Sequence, residues 1–195
     1  MLSELRGTVN PIMEKVAEPF ARAGITPNAI TIISLLIGTI AALLFAYRQP
    51  LFAGIVLLIG GFFDIIDGAV ARLTGQVTDF GGFLDSVIDR YVDFVVIFGV
   101  MWASQGALLI GVPTWVWCVL AIEGSIMVSY TRARAEAAGA NLTVGIAERA
   151  ERILILAIFA MLGFTNIAIG LIVLLTHITV LQRVIAAWQR LDGRM

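Results

Sequence analysis

The chain has 195 residues, of which 59% are hydrophobic and 14% are charged, and its mean hydropathy is +0.96. This balance is typical of a polytopic membrane protein and excludes an ordinary water-soluble domain. The net charge is −1, and we expect no nucleic-acid partner. The single cysteine, Cys118, lies in an apolar run and cannot form an internal disulfide, so we expect it to be a small core residue.

The N-terminal segment 1–23 mixes basic and acidic residues and lacks the continuous apolar core of a signal peptide. Its apolar residues recur at spacings of three and four, which predicts an amphipathic helix. Such a helix lies either along the membrane interface or against the protein's own surface, and both interpretations remain open. The residues that form this apolar stripe are Leu2, Leu5, Val9, Ile12, Met13, Val16 and Phe20.

Six apolar runs follow, and because about 20 residues suffice to cross a bilayer, we read them as six transmembrane helices. The predicted fold is an all-α integral membrane protein, with six transmembrane helices after an N-terminal amphipathic interfacial helix. We expect one domain over residues 1–195, with its six-helix bundle at 28–190. The runs cover residues 28–47, 51–66, 83–103, 115–127, 153–164 and 167–184.

The basic residues are distributed unevenly among the connections. If the N-terminus is cytoplasmic, only Arg48 among the 13 Lys and Arg residues lies on the outer side, whereas four arginines crowd the connection between the fourth and fifth predicted spans. Cytoplasmic loops carry an excess of Lys and Arg. The sequence therefore predicts a multi-pass protein of the cell membrane with both termini and the active site on the cytoplasmic side.

Four aspartates stand inside the second and third apolar runs, where an ionised carboxylate costs several kcal/mol on most estimates. Asp64 and Asp67 share one helix face, and so do Asp85 and Asp89 on the next helix. If the two faces meet, they form an oxygen-rich cage suited to Mg²⁺, Mn²⁺ or Ca²⁺. Zinc would recruit His or Cys, and the one residue of each type lies far along the chain.

The run from Asp64 to Asp89 has the pattern D-x2-D-G-x2-A-R-x8-G-x3-D-x3-D. It resembles the signature of the CDP-alcohol phosphotransferase family. Members of that family are integral membrane enzymes that displace CMP from a CDP-linked lipid or alcohol with the hydroxyl of a second alcohol. The Thr26-Pro27-Asn28 turn and the six-helix plan are similar to the family as well.

Phosphoryl transfer needs neutralised phosphate oxygens, a positioned nucleophile and a group that accepts its proton. Two cations held by four carboxylates can clamp a diphosphate in this way. The resemblance implies that Asp64, Asp67 and Asp85 are ligands of two Mg²⁺ or Mn²⁺ ions. It also implies that Asp89 touches metal and serves as the general base.

The resemblance further implies that Gly68, Arg72 and Thr78 contact the cytidine diphosphate group. A small residue allows close approach of the nucleotide, and the planar fork of arginine can pair with phosphate. Asn28 and Thr31 resemble positions that complete the nucleotide site. For these two residues, capping of the first transmembrane helix is an equally good interpretation.

Other polar and small residues near the motif are expected to lie outside the metal and nucleotide sites. We expect Gly81 and Gly82 to serve helix packing, and we leave Asp79, in an expected cytoplasmic loop, and Asp93 outside the metal set. Glu123 lies within the fourth apolar run and needs a partner, which we expect to be structural.

The acceptor is indicated by segments 129–139 and 145–152, which resemble phosphatidylinositol phosphate synthases and their archaeal archaetidylinositol phosphate counterparts. This resemblance implies inositol 1-phosphate as acceptor, held by a basic pocket. Arginine forks bind phosphate bidentately, and a phosphorylated acceptor carries about two negative charges. The positive-inside rule alone is the alternative, and Arg134 has the alternative of pairing with Glu136 or Glu148. The pocket residues are Arg132, Arg134, Arg149, Arg152 and Arg183.

The sequence leaves alternatives for the reaction, the donor lipid and the oligomeric state. A synthase of phosphatidylglycerol phosphate or archaetidylglycerol phosphate, using glycerol 3-phosphate, is the alternative within the family, and a divalent-cation transporter is the alternative outside it. The donor lipid is either CDP-diacylglycerol or CDP-archaeol, because both tails can lie between apolar helices. A homodimer is implied by the resemblance, with the region of Gly99 and Ala103 as one contact surface.

Overall fold

The structure, a computed structural model, describes residues 6–192, with side chains from residue 13 onward. The described part forms seven helices and one short β-hairpin. The helices are α1 (Arg6–Arg22), α2 (Pro27–Ala46), α3 (Pro50–Thr74), α4 (Asp79–Ala103), α5 (Thr114–Ala137), α6 (Arg149–Met161) and α7 (Thr165–Leu191). The hairpin strands are β1 (Leu108–Leu109) and β2 (Val112–Pro113), paired antiparallel between α4 and α5.

Local sequence signals set where α2 begins, where α3 ends and where α4 begins. Thr26 caps α2 by accepting a hydrogen bond from the Ala29 amide at 3.3 Å. Gly75 ends α3 in the left-handed region, at φ 66°, where glycine carries no Cβ penalty. Thr78 then caps α4 by accepting from the Gly81 amide at 3.0 Å. Asp79 is therefore the first residue of α4, and its predicted place in a loop was wrong.

The helices of the bundle pack in four main pairs. α2 lies against both α3 and α4, α5 lies against α7, and α6 lies against α3. Cys118 is fully buried in this core, as expected. Large apolar side chains such as Leu36, Trp102 and Leu174 remain more than half exposed on the outside of the bundle. An outer surface of this kind fits a lipid environment rather than water.

Four of the helices are long and apolar enough to span a bilayer, namely α2, α3, α5 and α7. The other two predicted spans differ in informative ways. α4 has 25 residues but carries the signature aspartates Asp85 and Asp89 together with Asp79, Arg90 and Asp93. α6 has 13 residues, which rise only about 20 Å. The charged residues of the site thus interrupt the apolar pattern on α4.

α1 packs against the bundle. Met13, Val16 and Phe20 contact a buried cluster formed by residues of α2 and α3, and the Phe20 ring meets the Phe63 ring edge to face at 5.9 Å. From Met13 onward, α1 therefore packs against the protein's own surface, which is one of the two interpretations of the sequence. Leu2 and Leu5 of the predicted stripe lie outside the described residues, as do the side chains of Val9 and Ile12.

Candidate active site

The signature aspartates of α3 and α4 converge between these two helices, which both pack against α2. Asp64, Asp67 and Asp85 each offer a carboxylate oxygen, and the three oxygens all lie within 4.8 Å of one another. One Oδ1 atom of each of Asp64, Asp85 and Asp89 is buried and accepts no hydrogen bond in the described structure. Asp85 forms no ion pair in the described structure, and clustered, buried carboxylate oxygens are suited to ligate a cation, so the residues fit a divalent metal.

Asp67 is oriented by a neighbouring helix. It is buried, and its Oδ2 accepts a hydrogen bond from the Thr31 hydroxyl of α2 at 2.7 Å. The Thr31 hydroxyl also lies 3.1 Å from the Pro27 carbonyl. Since Thr26 supplies the cap of α2, Thr31 is free to act on Asp67, and the capping interpretation of Thr31 is wrong. Supporting contacts of this kind fix the geometry of a metal ligand.

Arg149, the first residue of α6, reaches into the aspartates. Its Nη1 atom lies 2.5 Å from Asp64 Oδ1 and 2.8 Å from Asp89 Oδ1, and its Nε lies 3.7 Å from Asp93 Oδ1. These are close ionic contacts. Neither Nε nor Nη1 of Arg149 forms a hydrogen bond with a described acceptor. The sequence associated Arg149 with acceptor phosphate but did not indicate that it touches the aspartates.

Asp93 extends the carboxylate face of α4 by one more turn. Arg152 donates from Nη2 to Asp93 Oδ2 at 2.6 Å and from Nη1 to the Ala147 carbonyl at 2.9 Å. Asp93 is thereby paired with Arg152. Its spacing of four from Asp89 was the signal that it belongs to the same face.

The other predicted pocket arginines divide into two groups. Arg132 and Arg183 share Glu148, at 3.9 and 3.7 Å, and Arg132 donates to Glu136 at 3.0 Å. Glu136 and Glu148, the alternative partners predicted for Arg134, therefore pair with Arg132. Arg134 lies exposed on the same helix as Arg132.

The residues predicted to bind nucleotide lie around the starts of α2 and α4. Gly81 packs so closely that a Cβ there would lie 3.1 Å from the Thr78 hydroxyl and 3.4 Å from Asn28 Oδ1. This agrees with a packing role for Gly81, whereas a Cβ at Gly82 would meet nothing within 4 Å. Two further residues of the set lie on α3, where a Cβ at Gly68 would lie 3.4 Å from the guanidinium of Arg72.

Glu123 has the structural partner that the sequence could not name. Its Oε2 lies 3.0 Å from Nε2 of His177 on α7, and His177 Nδ1 lies 2.8 Å from the Val173 carbonyl. This pair joins α5 to α7.

Comparison with known proteins places the chain in a family. The family model for CDP-alcohol phosphatidyltransferase matches residues 24–188. The archaetidylinositol phosphate synthase of Pyrococcus horikoshii is 44% identical over 193 residues, which cover 98% of this chain and 99% of that protein.

Solved structures show the same fold. The phosphatidylinositol phosphate synthase of Mycobacterium tuberculosis in complex with manganese and citrate superposes with a TM-score of 0.82 at 29% identity, covering 90% of this chain and 88% of that one. The same enzyme with CDP-DAG bound gives a TM-score of 0.81 at 29% identity, with coverages of 91% and 94%. The chain therefore belongs to the CDP-alcohol phosphatidyltransferase family and is a multi-pass membrane enzyme.

Proposed function

We propose that the protein transfers the phosphatidyl or archaetidyl group of a CDP-linked lipid to inositol 1-phosphate and releases CMP. The observation that carries this proposal is the insertion of Arg149 between Asp64 and Asp89, at 2.5 and 2.8 Å. A guanidinium that binds phosphate then lies beside carboxylates that bind metal. The names of the relatives support the inositol phosphate acceptor.

Asp64, Asp67, Asp85 and Asp89 are the proposed ligands of two Mg²⁺ or Mn²⁺ ions. The grouping of their oxygens supports this assignment, and so does the manganese in the similar mycobacterial structure. Bound cations supply neutralisation of the diphosphate charge. Thr31 holds Asp67 in its ligating orientation through the 2.7 Å hydrogen bond.

Asp89 is the proposed general base. The acceptor hydroxyl oxygen forms a bond to the lipid-side phosphorus of the diphosphate, and the bond from that phosphorus to the CMP oxygen breaks. The hydroxyl proton passes to the Asp89 carboxylate, and CMP leaves with the electron pair of the broken bond. Its place supports this role, because Asp89 Oδ1 lies 2.8 Å from Nη1 of Arg149, the arginine proposed to hold the acceptor phosphate.

The donor nucleotide is proposed to lie at the starts of α2 and α4, bound by Asn28, Thr31, Gly68, Arg72 and Thr78. The 3.4 Å approach of Asn28 Oδ1 to a Cβ built at Gly81 supports a shared surface between the two helices. Arg72 is exposed near the end of α3, where its guanidinium can meet the diphosphate.

The acceptor phosphate is proposed to bind the basic residues Arg132, Arg134, Arg149, Arg152 and Arg183. Arg149 and Arg152 are linked through Asp93, and Arg132 and Arg183 are linked through Glu148. Glu148 precedes Arg149 directly, so the two linked pairs meet at the start of α6. In the described structure Arg149 Nη2 takes no part in these contacts and is available to phosphate. The three Arg183 nitrogens are all engaged, by the Val144 and Val128 carbonyls and by Glu148, so Arg183 would exchange one of these contacts for phosphate.

The proposed topology has six spans, α2 to α7, with both termini and the active site on the cytoplasmic side. α1 lies at the membrane interface while packing on α3, and the whole chain is one domain that forms homodimers. The basic residues support this orientation, because Arg48 lies in the α2–α3 turn, at the opposite end of α3 from the Gly75 turn.

The test is CMP release by the purified protein with Mg²⁺ or Mn²⁺ present. CDP-archaeol and CDP-diacylglycerol serve as alternative donors, and inositol 1-phosphate, glycerol 3-phosphate, free inositol and serine serve as acceptors. We expect release with inositol 1-phosphate and loss of release after EDTA treatment. Release with glycerol 3-phosphate in its place would favour the glycerol phosphate alternative, and cation flux without CMP release would favour a transporter.

A further inference from the structure

The segment between α5 and α6 is held against α7 by one buried hydroxyl. Thr179 is completely buried, and its Oγ1 accepts hydrogen bonds from the amides of Ile146 at 3.2 Å and Ala147 at 3.1 Å. The same hydroxyl donates to the Leu175 carbonyl of its own helix at 2.8 Å. One side chain of α7 thus satisfies two consecutive amides of a segment that has no regular secondary structure.

The neighbouring residues strengthen this attachment. Gly145 has φ +143°, and a Cβ there would lie 2.8 Å from Thr179 Cγ2. Arg183 donates from Nε to the Val144 carbonyl at 3.0 Å, and its Nη1 donates to the Val128 carbonyl of α5. The segment therefore lies in direct contact with α7, and glycine permits both the backbone angle and the close approach.

The attachment ends two residues before Arg149. The Ala147 peptide is held from both sides, since its amide donates to Thr179 and its carbonyl accepts from Arg152 at 2.9 Å. α6 begins at Arg149, whose guanidinium contacts Asp64 and Asp89. The position of the Arg149 backbone is consequently set by where Ala147 is held.

We propose that Thr179 is a positioning residue for transfer, one that places Arg149 and Arg152 for the acceptor phosphate without touching substrate. This inference rests on the proposed function, because it assigns Thr179 to the acceptor side of that reaction. Since Thr179 is wholly buried, its effect passes through the backbone of residues 146 and 147. Displacing a positioned binding group by about 1 Å can cost on the order of a hundredfold in rate.

The decisive comparison uses two buried threonines of one helix. Thr179→Val removes the hydroxyl and keeps the shape. Thr176→Val is the matched control, because Thr176 is equally buried and its hydroxyl bonds, among the described residues, only the Ile172 and Val173 carbonyls of its own helix. We expect Thr179→Val to lower kcat/KM for inositol 1-phosphate roughly ten- to a hundredfold while the KM for the CDP-lipid stays unchanged. Thr176→Val should retain wild-type values.

Two further variants separate positioning from folding. Thr179→Ser keeps the hydroxyl and should restore at least most of the activity. Gly145→Ala acts from the segment's side, since its Cβ would clash with Thr179 Cγ2, and it should reproduce the kinetic change of Thr179→Val. Equal kinetics for Thr179→Val and Thr176→Val, or no recovery in Thr179→Ser, would overturn the inference.

Hydrogen exchange provides a readout that does not depend on the substrate. In Thr179→Val the amides of Ile146 and Ala147 should exchange faster than in the wild-type protein, whereas Thr176→Val should leave them unchanged. Unaltered exchange in Thr179→Val would show that Thr179 does not hold the segment. If the wild-type protein released no CMP with inositol 1-phosphate, the proposed function would fail. The exchange result would still decide whether Thr179 holds the segment that precedes Arg149.

Discussion

The site depends on a few side chains whose neighbours determine what each can do. Asp89 lies 2.8 Å from Arg149 Nη1, and its Oδ1 has no hydrogen-bond donor in the described structure. Asp67 has the Thr31 hydroxyl at 2.7 Å. The two carboxylates, both proposed metal ligands, thus lie in different surroundings, and of the two it is Asp89 that lies beside the Arg149 guanidinium proposed for the acceptor phosphate.

The base assignment predicts the behaviour of Asp89→Asn. Because the amide cannot accept the acceptor's proton, we expect CMP release to fall by about 10² to 10⁴. Binding of the CDP-lipid should be partly retained, since Asp64, Asp67 and Asp85 remain. Steady-state CMP release and lipid binding measured on the same preparation test this.

Asp79→Asn is the control for Asp89→Asn, because Asp79 is exposed at the start of α4 and carries no proposed role. Its activity should equal that of the wild-type protein. A wild-type rate in Asp89→Asn would contradict the base assignment.

The hydrogen bond from Thr31 predicts an effect on metal affinity. Thr31→Val leaves Asp67 without its donor and should weaken Mn²⁺ binding by roughly 10- to 100-fold, the range typical for partners of metal ligands. Thr39→Val is the control, since Thr39 lies on the same helix and bonds only the Leu35 carbonyl, at 2.8 Å. Titration of Mn²⁺ followed by electron paramagnetic resonance measures both, and equal affinities would refute a supporting role for Thr31.

Glycines at the helix crossings bring the elements of the site close together. A Cβ at Gly99 of α4 would clash with the Ala42 carbonyl oxygen of α2, and one at Gly38 would lie 2.7 Å from Val92. Gly54 meets the Ala157 carbonyl of α6 in the same way, and Gly124 meets Thr176 of α7. Small residues at these positions let backbones approach closely, as membrane helices require.

This packing predicts that Gly99→Ala destabilises the bundle. The Cβ meets a helix backbone that cannot move aside easily, so we expect a loss of about 1–3 kcal/mol, typical of overpacking. Thermal unfolding in detergent should show a lowered Tm. Gly82→Ala is the control with the opposite expectation, because a Cβ there meets nothing within 4 Å and alanine favours the helix. A Tm unchanged by Gly99→Ala would count against the close α2–α4 crossing.

The orientation of the whole molecule can be tested by cysteine labelling. Cys118 is fully buried, so the native protein provides an unreactive background. We expect Arg48→Cys in intact cells to react with a membrane-impermeant maleimide added outside. Arg190→Cys should react only after the membrane is permeabilised. The reverse pattern would overturn the proposed topology.

Much of the molecule was predictable because membrane insertion and the metal chemistry both act through local sequence. Helices must satisfy their own backbone hydrogen bonds in lipid, so apolar runs predicted six of the helices. Their bounds shifted, as at α4, which begins at Asp79 rather than near Phe83, because Thr78 supplies a cap that the hydropathy pattern does not show. The charged residues of α4 also interrupt its apolar pattern, and α4 is not among the helices apolar enough to span a bilayer.

The sequence by itself determined the aspartate motif, its placement on two helix faces and the family, since all of these depend on spacings of three and four residues. Only the tertiary structure decided that Arg149 meets Asp64 and Asp89, that Thr31 supports Asp67, and that Thr179 holds the segment before α6. Each of these contacts joins residues 25 or more positions apart. Their formation depends on how helices cross and approach, which glycine packing sets in three dimensions and which no local period records.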